Sequence, residues 1–295
     1  MAASSARKEA GDAAAPNFRQ SHPVLARFLR NPMGIASGVA LLVVVAACAG
    51  APLLTHFGPN TPDLSAMLVA PNATHPFGTT PLGMDLFAQV LYAGRISLII
   101  GALSALIAGA IGSILGLLAG YLGGVVDVVI MRLVDAALSV PILLVILVLV
   151  VMLGGSLVVV IGLIAVSGWM YPARIVRAQT LLEKELPYVE AARSLGCRPL
   201  AIMWQHIFPN VIGALIVNVT IFVGQAVLME SAMSFLGAGL EPPNVSLGYL
   251  LNQSQSYLSS APWLPIFPGL LIFVIVVGTN MFGDALRDAL NPEVL

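Results

Sequence analysis

The stretch EAARSLGCRPLAIMWQHIFPN, residues Glu190–Asn210, is a polar interruption in a chain that is apolar almost throughout. Pro187, just before it, can occupy the first turn of a helix, and Gly196 can end that helix in the left-handed conformation that glycine adopts readily. Pro199 can begin a second helix, and we expect Pro209 to end it. The stretch therefore predicts two short helices that meet at a sharp elbow between Gly196 and Pro199.

Both predicted helices carry an apolar face. In the first, we expect one face to be shared by Tyr188, Ala191, Ala192 and Leu195. In the second, the apolar residues recur at the spacing of an amphipathic helix, at Leu200, Met203, Trp204, Ile207 and Phe208. Such faces fit either a protein partner or a lipid surface, and periodicity alone leaves both open.

The composition indicates a membrane protein. Of the 295 residues, 58% are hydrophobic and 9% are charged, whereas a soluble domain is about 25% charged. So few charges cannot cover a water-facing surface, and lipid must be the solvent for much of the chain. The net charge of −1 provides no basic field for nucleic acid. Cys48 and Cys197 suit neither a disulfide framework nor a metal site, and we expect both to be inert, small, apolar side chains.

Six apolar segments are candidates to cross a bilayer, which takes about 20 residues. The third and fourth are joined by GGS at Gly154–Ser156 and should form a hairpin. We therefore predict an all-α polytopic membrane protein with six transmembrane helices, at Ile35–Leu54, Ile96–Leu118, Ala136–Leu153, Leu157–Ala173, Val211–Leu236 and Leu264–Phe282.

The second predicted span carries small residues at every fourth position, namely Gly101, Ala105, Gly109 and Ser113. This spacing forms a smooth stripe that lets another helix approach closely. The approaching helix can belong to this chain or to another chain, and the sequence leaves both open.

Basic residues predict the orientation. With six spans, all 13 Lys and Arg residues except Arg95 fall on one side, so both termini and the Glu190–Asn210 stretch are predicted to be cytoplasmic. We expect a largely disordered cytoplasmic tail at 1–30, the first span and an extracytoplasmic loop at 31–91, the core at 92–283 and a short cytoplasmic segment at 284–295.

The sequence carries no recognisable catalytic motif. A phosphate-binding loop needs Gly-Lys-Ser/Thr after a glycine-rich turn, but the two lysines, Lys8 and Lys184, follow Arg7 and Glu183. The histidines form no His-Glu-x-x-His metal pair. We therefore expect this chain not to be an enzyme and to hold no catalytic residue, metal or cofactor of its own.

Three polar residues of the fifth predicted span are candidates for a translocation path or gate. A charge at mid-bilayer costs about 2.5–3.5 kcal/mol even on lenient scales, so Glu230 must face a water-filled path, a partner subunit or a hydrogen-bonding group. Its role is either related to the solute or gate, or a structural link. Asn218 and Gln225 share one face of this span, which either lines the path or contacts neighbouring helices. An ion-coupled secondary transporter is the remote alternative for the function, because a single carboxylate is weak evidence for it.

Four ordered motifs resemble those of the C-type permease subunits of dipeptide, oligopeptide and nickel ABC importers. The first is the EAA loop, with EAA at Glu190–Ala192, then Gly196, then the HIFPN run that contains Pro209. The others are HPFGTTPLGMDLFAQVLYAGRISLIIG at His75–Gly101, ESAMSFLGAGLEPPNVSLGYLL at Glu230–Leu251 and NMFGDALRDALNP at Asn280–Pro292. The resemblance covers about residues 25–293 and departs from the family pattern at Met84, where arginine is usual.

This resemblance implies a type I ABC-importer permease fold in a prokaryotic inner membrane. It further implies a B-type permease partner, two cytoplasmic ATPases that bind ATP and Mg²⁺, and an extracytoplasmic solute-binding protein. The implied solutes are di- or oligopeptides, with nickel complexes, glutathione or another small solute as alternatives. The EAA loop, 178–210, is implied to form the helices that couple to an ATPase, through Glu190, Ala191, Ala192, Arg193, Gly196, Arg198, Pro199, Leu200, Met203, Trp204, His206 and Pro209.

Overall fold

The computed structural model describes residues 27–240 and 244–290. Residues 1–26 of the predicted tail and 291–295 of the predicted C-terminal segment lie outside the described residues. The α-helices are α1 Pro32–Ala49, α2 Ala51–Leu54, α3 Leu86–Leu122, α4 Gly124–Leu138, α5 Ile142–Leu153, α6 Leu157–Gly168, α7 Met170–Glu183, α8 Pro187–Ser194, α9 Pro199–Ala201, α10 Phe208–Phe235, α11 Leu247–Ser254 and α12 Trp263–Leu290. Short 3-10 turns lie at Leu64–Ala66 and Gln255–Tyr257, and a π-helical turn lies at Ile202–Ile207.

The prediction of an all-helical polytopic protein is confirmed. In the described part of the chain, five helical segments are long and apolar enough to cross a membrane, and a sixth is reached if the bent pair of α4 and α5 is one span. The five are Pro32–Ala49, Leu86–Leu122, Leu157–Glu183, Pro199–Phe235 and Trp263–Leu290.

The predicted third span, Ala136–Leu153, is wrong as a single straight helix. Helices α4 and α5 meet at an angle of 82°. The break precedes Pro141, which has no N–H to donate and whose ring crowds the carbonyl of the preceding turn. Helix α5 has 12 residues and is therefore about 18 Å long, short of the roughly 30 Å hydrocarbon core of a bilayer.

The second and fourth spans, like the fifth and sixth, extend beyond their predicted ends. The fourth continues past Ala173 as α7 to Glu183. The second begins at Leu86, where the Asp85 carboxylate caps the helix by accepting the Ala88 N–H at 2.7 Å. Apolar periodicity fades in these extensions, but contacts with the rest of the protein and the end cap keep them helical.

Helix α3 is central to the packing because two of its faces are lined by glycine. On one face, a Cβ placed at Gly101 or Gly109 would lie 2.7 Å from Val227 or 2.5 Å from Val219 of α10. On the other face, a Cβ at Gly116 would lie 2.6 Å from the Ala173 carbonyl oxygen of α7. The predicted small-residue stripe therefore packs within the chain, and a second stripe, absent from the prediction, packs against α7.

Candidate coupling site

Helix α8 buries one residue of its predicted apolar face and leaves the other three exposed. Val189 and Ala192 are buried, whereas Leu195 is 85% exposed. The two buried side chains belong to an apolar cluster with residues of α3, α7, the π-helical turn and α10. Because this packing sets the rotation of α8, Tyr188, Ala191 and Leu195 of the predicted face remain exposed, where a partner or lipid can reach them, and Ala192 faces the cluster.

The elbow has the geometry that the glycine predicted. Gly196 has a φ of +79°, and its N–H donates to the Arg193 carbonyl at 3.0 Å. The Cys197 N–H donates to the Ala192 carbonyl at 3.1 Å. These two bonds form a Schellman motif, in which a left-handed residue satisfies the last carbonyls of a helix. The prediction for Gly196 is confirmed.

The prediction that Pro209 ends a helix is wrong. The chain continues without a break from Pro199 through the π-helical turn into α10, and Pro209 lies in the first turn of α10. The Phe208 N–H donates to the Met203 carbonyl, five residues back. This wider turn relieves the clash between the proline ring and the preceding carbonyls, and the first turn of an α-helix tolerates a missing N–H.

Tyr188 ties the three segments of the elbow together, a role that sequence reasoning missed. Its hydroxyl donates to Glu183 Oε2 at the end of α7 and accepts from Asn210 Nδ2 at 3.0 Å in α10. Burial, together with the Glu183 hydrogen bond, raises the pKa of Tyr188 to about 12. Asn210 also donates to the His206 carbonyl at 2.8 Å, and both residues belong to the HIFPN run.

Ten exposed residues at the elbow form a surface, which we call the elbow surface; eight of them belong to the predicted coupling set, and Leu195 and Cys197 are additions. This surface combines charged and apolar side chains. Among the apolar ones, Leu200 is 64% and Trp204 44% exposed. Met203 turns inward and is buried. Cys48 is buried, as expected of a small apolar side chain, whereas Cys197 is exposed and accessible to a reagent. The exposed members are Glu190, Ala191, Arg193, Leu195, Gly196, Cys197, Arg198, Pro199, Leu200 and Trp204.

Two ion pairs brace the adjoining helices. Arg177 of α7 donates to Asp127 of α4, with Nη2 and Oδ2 2.6 Å apart. Arg174 of α7 donates to Asp135 of α4 at 2.5 Å. Lys184, which follows α7, adds a contact with α3 by donating to the Gly120 carbonyl at 3.2 Å.

The candidate path residues have three different environments. Glu230 is fully buried and faces serine hydroxyls, so the prediction that it needs a hydrogen-bonding group is met. Gln225 is exposed on α10. Asn218 is half-buried, and its Oδ1 has no hydrogen-bond partner within residues 27–240 and 244–290.

Comparison with protein families accounts for most of the chain. Residues 112–295 match the family described as the inner membrane component of binding-protein-dependent transport systems. Residues 20–71 match the N-terminal transmembrane domain of oligopeptide transport permease C. The chain belongs to this permease family.

Several curated relatives resemble this permease over nearly their full length. It is 39% identical over 269 residues to the oligopeptide transport system permease protein OppC of Escherichia coli, which covers 90% of this chain and 89% of the relative. It is 36% identical to the glutathione transport system permease protein GsiD of Pectobacterium atrosepticum, over 91% and 89% of the two chains. It is 35% identical to the dipeptide transport system permease protein DppC of Bacillus subtilis, over 97% and 90%.

These matches confirm the C-type peptide permease family that the four motifs indicated. Together with the apolar helices, they identify a multi-pass inner-membrane protein. The relatives are named as permease subunits rather than as enzymes.

Proposed function

We propose that this permease and a second, B-type permease form the translocation path of an ATP-driven importer of di- and oligopeptides. Two cytoplasmic ATPases bind ATP and Mg²⁺ and drive it, and an extracytoplasmic binding protein delivers the solute. The permease itself binds no cofactor. The elbow surface supports this proposal best, because it offers apolar and charged side chains together on a rigidly tied support.

The geometry supports a lever that transmits ATPase movement to the path. The helical run Pro199–Phe235 has 37 residues and is therefore about 55 Å long. Since no break separates the elbow from α10, a push at Leu200 or Trp204 displaces the whole rod. The Tyr188 hydroxyl carries the same displacement to α7 through Glu183.

Glu190, Arg193 and Arg198 are available to an ATPase partner. They are exposed and form no ion pair within the part of the chain that the structure describes. Charged side chains of this kind fix the register of a docked partner, while buried aromatic and aliphatic anchors supply most of its affinity. Trp204, Leu200 and Leu195 are suitable anchors.

Peptides are the solutes that the comparisons favour. The three relatives are named for oligopeptides, dipeptides and glutathione, and glutathione is itself a small peptide. Import of glutathione therefore remains the second candidate, supported by the relative from Pectobacterium atrosepticum.

Cys197 provides a test of the proposed docking. The proposed ATPases and second permease are co-expressed with this chain, and Cys197 is labelled with a thiol reagent in inverted membrane vesicles. We expect the ATPases to protect Cys197, and nucleotide to alter the extent of protection. Equal labelling with and without ATPases would refute docking at the elbow.

The solute is tested separately. The adjacent binding protein is purified, and its bound molecules are identified by mass spectrometry. Proteoliposomes that contain the whole complex should take up those peptides only with ATP and the binding protein. ATP-independent uptake driven by an ion gradient would instead favour a secondary transporter.

A further inference from the structure

Glu230 lies at the centre of a buried hydrogen-bond cluster that joins α3, α10 and α11. Its side chain is 0% exposed. Glu230 Oε1 accepts from Ser234 Oγ at 2.7 Å, one turn further along α10. Glu230 Oε2 accepts from Ser97 Oγ at 3.2 Å, across the contact with α3. One carboxyl group therefore links two spans.

The first of two hydrogen-bond chains reaches Glu230 through Ser97. The Leu247 N–H, at the start of α11, donates to Ser97 Oγ at 3.4 Å. Because a backbone N–H can only donate, Ser97 must accept here, and its own hydrogen is free for Glu230 Oε2.

The second chain reaches the other carboxyl oxygen through two serines. The Tyr249 N–H donates to Ser246 Oγ at 3.3 Å, and Ser246 caps α11. The Ser246 hydroxyl donates to Ser234 Oγ at 3.1 Å, and the Ser234 hydroxyl donates to Glu230 Oε1. Both chains thus begin at N–H groups in the first turn of α11, where a helix favours negative charge, and end on one carboxyl group.

The backbones of α10 and α11 touch at this cluster. A Cβ placed at Gly248 of α11 would lie 2.3 Å from the carbonyl oxygen of Ser231. A Cβ at Gly239 would lie 2.0 Å from Ser234 Oγ. Glycine at 248 lets the first turn of α11 lie directly on α10, and glycine at 239 lets the chain that follows α10 fold back against Ser234.

We propose that Glu230 is a positioning residue that fastens α11 to α3 and α10, so that these three elements move as one body, and that Glu230 does not touch the solute. Helix α11 lies between a cavity of about 340 Å³ and one of about 400 Å³, and Tyr249 lines both. A shift of α11 therefore changes both cavities. The fastening stands on the geometry alone, whereas its effect on transport rests on the proposed function.

Three variants separate the hydrogen-bond chains from general packing. Glu230→Gln keeps the size of the side chain but offers a single acceptor oxygen, so one serine hydroxyl loses its acceptor. Ser234→Ala interrupts the second chain alone. Ser113→Ala is the matched control, because Ser113 is buried on α3 and its hydroxyl donates to the Ala110 carbonyl of its own helix, away from Glu230.

Hydrogen–deuterium exchange of the purified complex tests the fastening directly. In Glu230→Gln we expect exchange of the Leu247 and Tyr249 amides to accelerate about tenfold, which corresponds to one lost hydrogen bond. In Ser234→Ala we expect this acceleration at Tyr249 alone. Exchange in α8 should not change, and Ser113→Ala should match the wild type. Unchanged exchange at both amides in both variants, or equal acceleration in Ser113→Ala, would overturn the fastening.

Competition between an acidic and a basic tripeptide in proteoliposomes tests the second half of the proposal. We expect Glu230→Gln to lower the maximal uptake rate of both peptides alike and to leave their ratio unchanged. A shift in the ratio that follows peptide charge would place Glu230 in contact with solute and overturn its positioning role. If the wild-type complex took up neither peptide, the proposed function would fail, while the exchange experiment would still decide whether Glu230 fastens α11.

Discussion

At the scale of single residues, Gly196 and Tyr188 show two different constraints on the elbow. A Cβ at Gly196 would meet nothing within 4 Å, so only the positive φ of +79° requires glycine there. Tyr188 is required for its hydroxyl, which joins α7 to α10. The first constraint concerns backbone conformation and is visible in the sequence, whereas the second concerns a contact across 22 positions of the chain.

Gly196→Ala should weaken coupling without unfolding the spans. An alanine in the left-handed region costs about 1–2 kcal/mol, which favours a change in the elbow angle. We expect lower ATP-dependent uptake and weaker co-purification with the ATPases, with the thermal stability of the detergent-purified permease nearly unchanged. Gly213→Ala is the control, because a Cβ there makes an ordinary contact, 3.8 Å from Leu290. Equal activity of the two variants would contradict the role of Gly196.

Tyr188→Phe should weaken the elbow by about 0.5–1.5 kcal/mol, the net value of a typical hydrogen bond. The raised pKa of about 12 means that the neutral hydroxyl is favoured in the folded protein. The stability it adds is therefore fully present below the ordinary pKa of about 10 and is lost only as pH rises towards 12. We expect the ratio of variant to wild-type uptake to be below one and constant from about pH 6 to 9; a ratio that returned to one within this range would contradict the assignment.

At the scale of elements, two prolines with similar apolar surroundings act differently. Pro141 separates α4 from α5 at 82°, whereas Pro209 is accommodated by the π-helical turn, and the helix continues. The difference lies in the turn before each proline. A wider turn precedes Pro209 and removes the clash, so the elbow and span five become one element that can act as a lever.

The position of α4 should depend on one of its two ion pairs more than on the other. Asp127 and Arg177 are partly buried, with side chains 19% and 30% exposed, whereas Asp135 and Arg174 are 54% and 46% exposed. Exposed pairs contribute little because water screens them. We expect Asp127→Asn to lower the free energy of unfolding by about 1 kcal/mol and Asp135→Asn by less than about 0.5 kcal/mol, measured by thermal unfolding in detergent. The opposite order would show that the partly buried pair does not hold α4.

At the scale of the whole molecule, close helix contacts through glycine hold the bundle together. Helix α3 uses one glycine face against α10 and another against α7. In lipid, such contacts stabilise a bundle because backbones approach closely and van der Waals packing improves. Helix α3 therefore contacts both α10, which continues from the elbow, and α7, which leads into the elbow.

Gly116→Ala should destabilise the bundle. Its Cβ would lie 2.6 Å from the Ala173 carbonyl oxygen, a backbone atom that cannot move aside alone. Overpacking of this kind costs about 1–3 kcal/mol, so we expect a lower apparent Tm in detergent. Gly162→Ala adds the same methyl group to α6 where nothing lies within 4 Å, and it should keep the wild-type Tm. Equal Tm values would contradict the α3–α7 contact.

The two cysteines make the predicted orientation testable. Cys48 is buried and Cys197 is exposed at the elbow, so a membrane-impermeant thiol reagent should label Cys197 alone. The excess of basic residues on one side predicts that this label appears in inverted vesicles and not in right-side-out vesicles. Cys197→Ser should abolish labelling. Labelling from the outside would reverse the predicted topology.

The sequence by itself determined the membrane class, most of the spans, the Gly196 elbow and the permease family, because composition, apolar runs and a left-handed glycine are local properties of the chain. Tertiary structure alone decided which face of α8 is buried, how Pro209 is accommodated, and that the Tyr188 hydroxyl ties α7 to α10. It also decided that Glu230 faces Ser97 and the first turn of α11. These features depend on contacts between residues that are far apart in the chain and come together only when the helices pack. The spacing of apolar residues along the chain does not indicate such contacts.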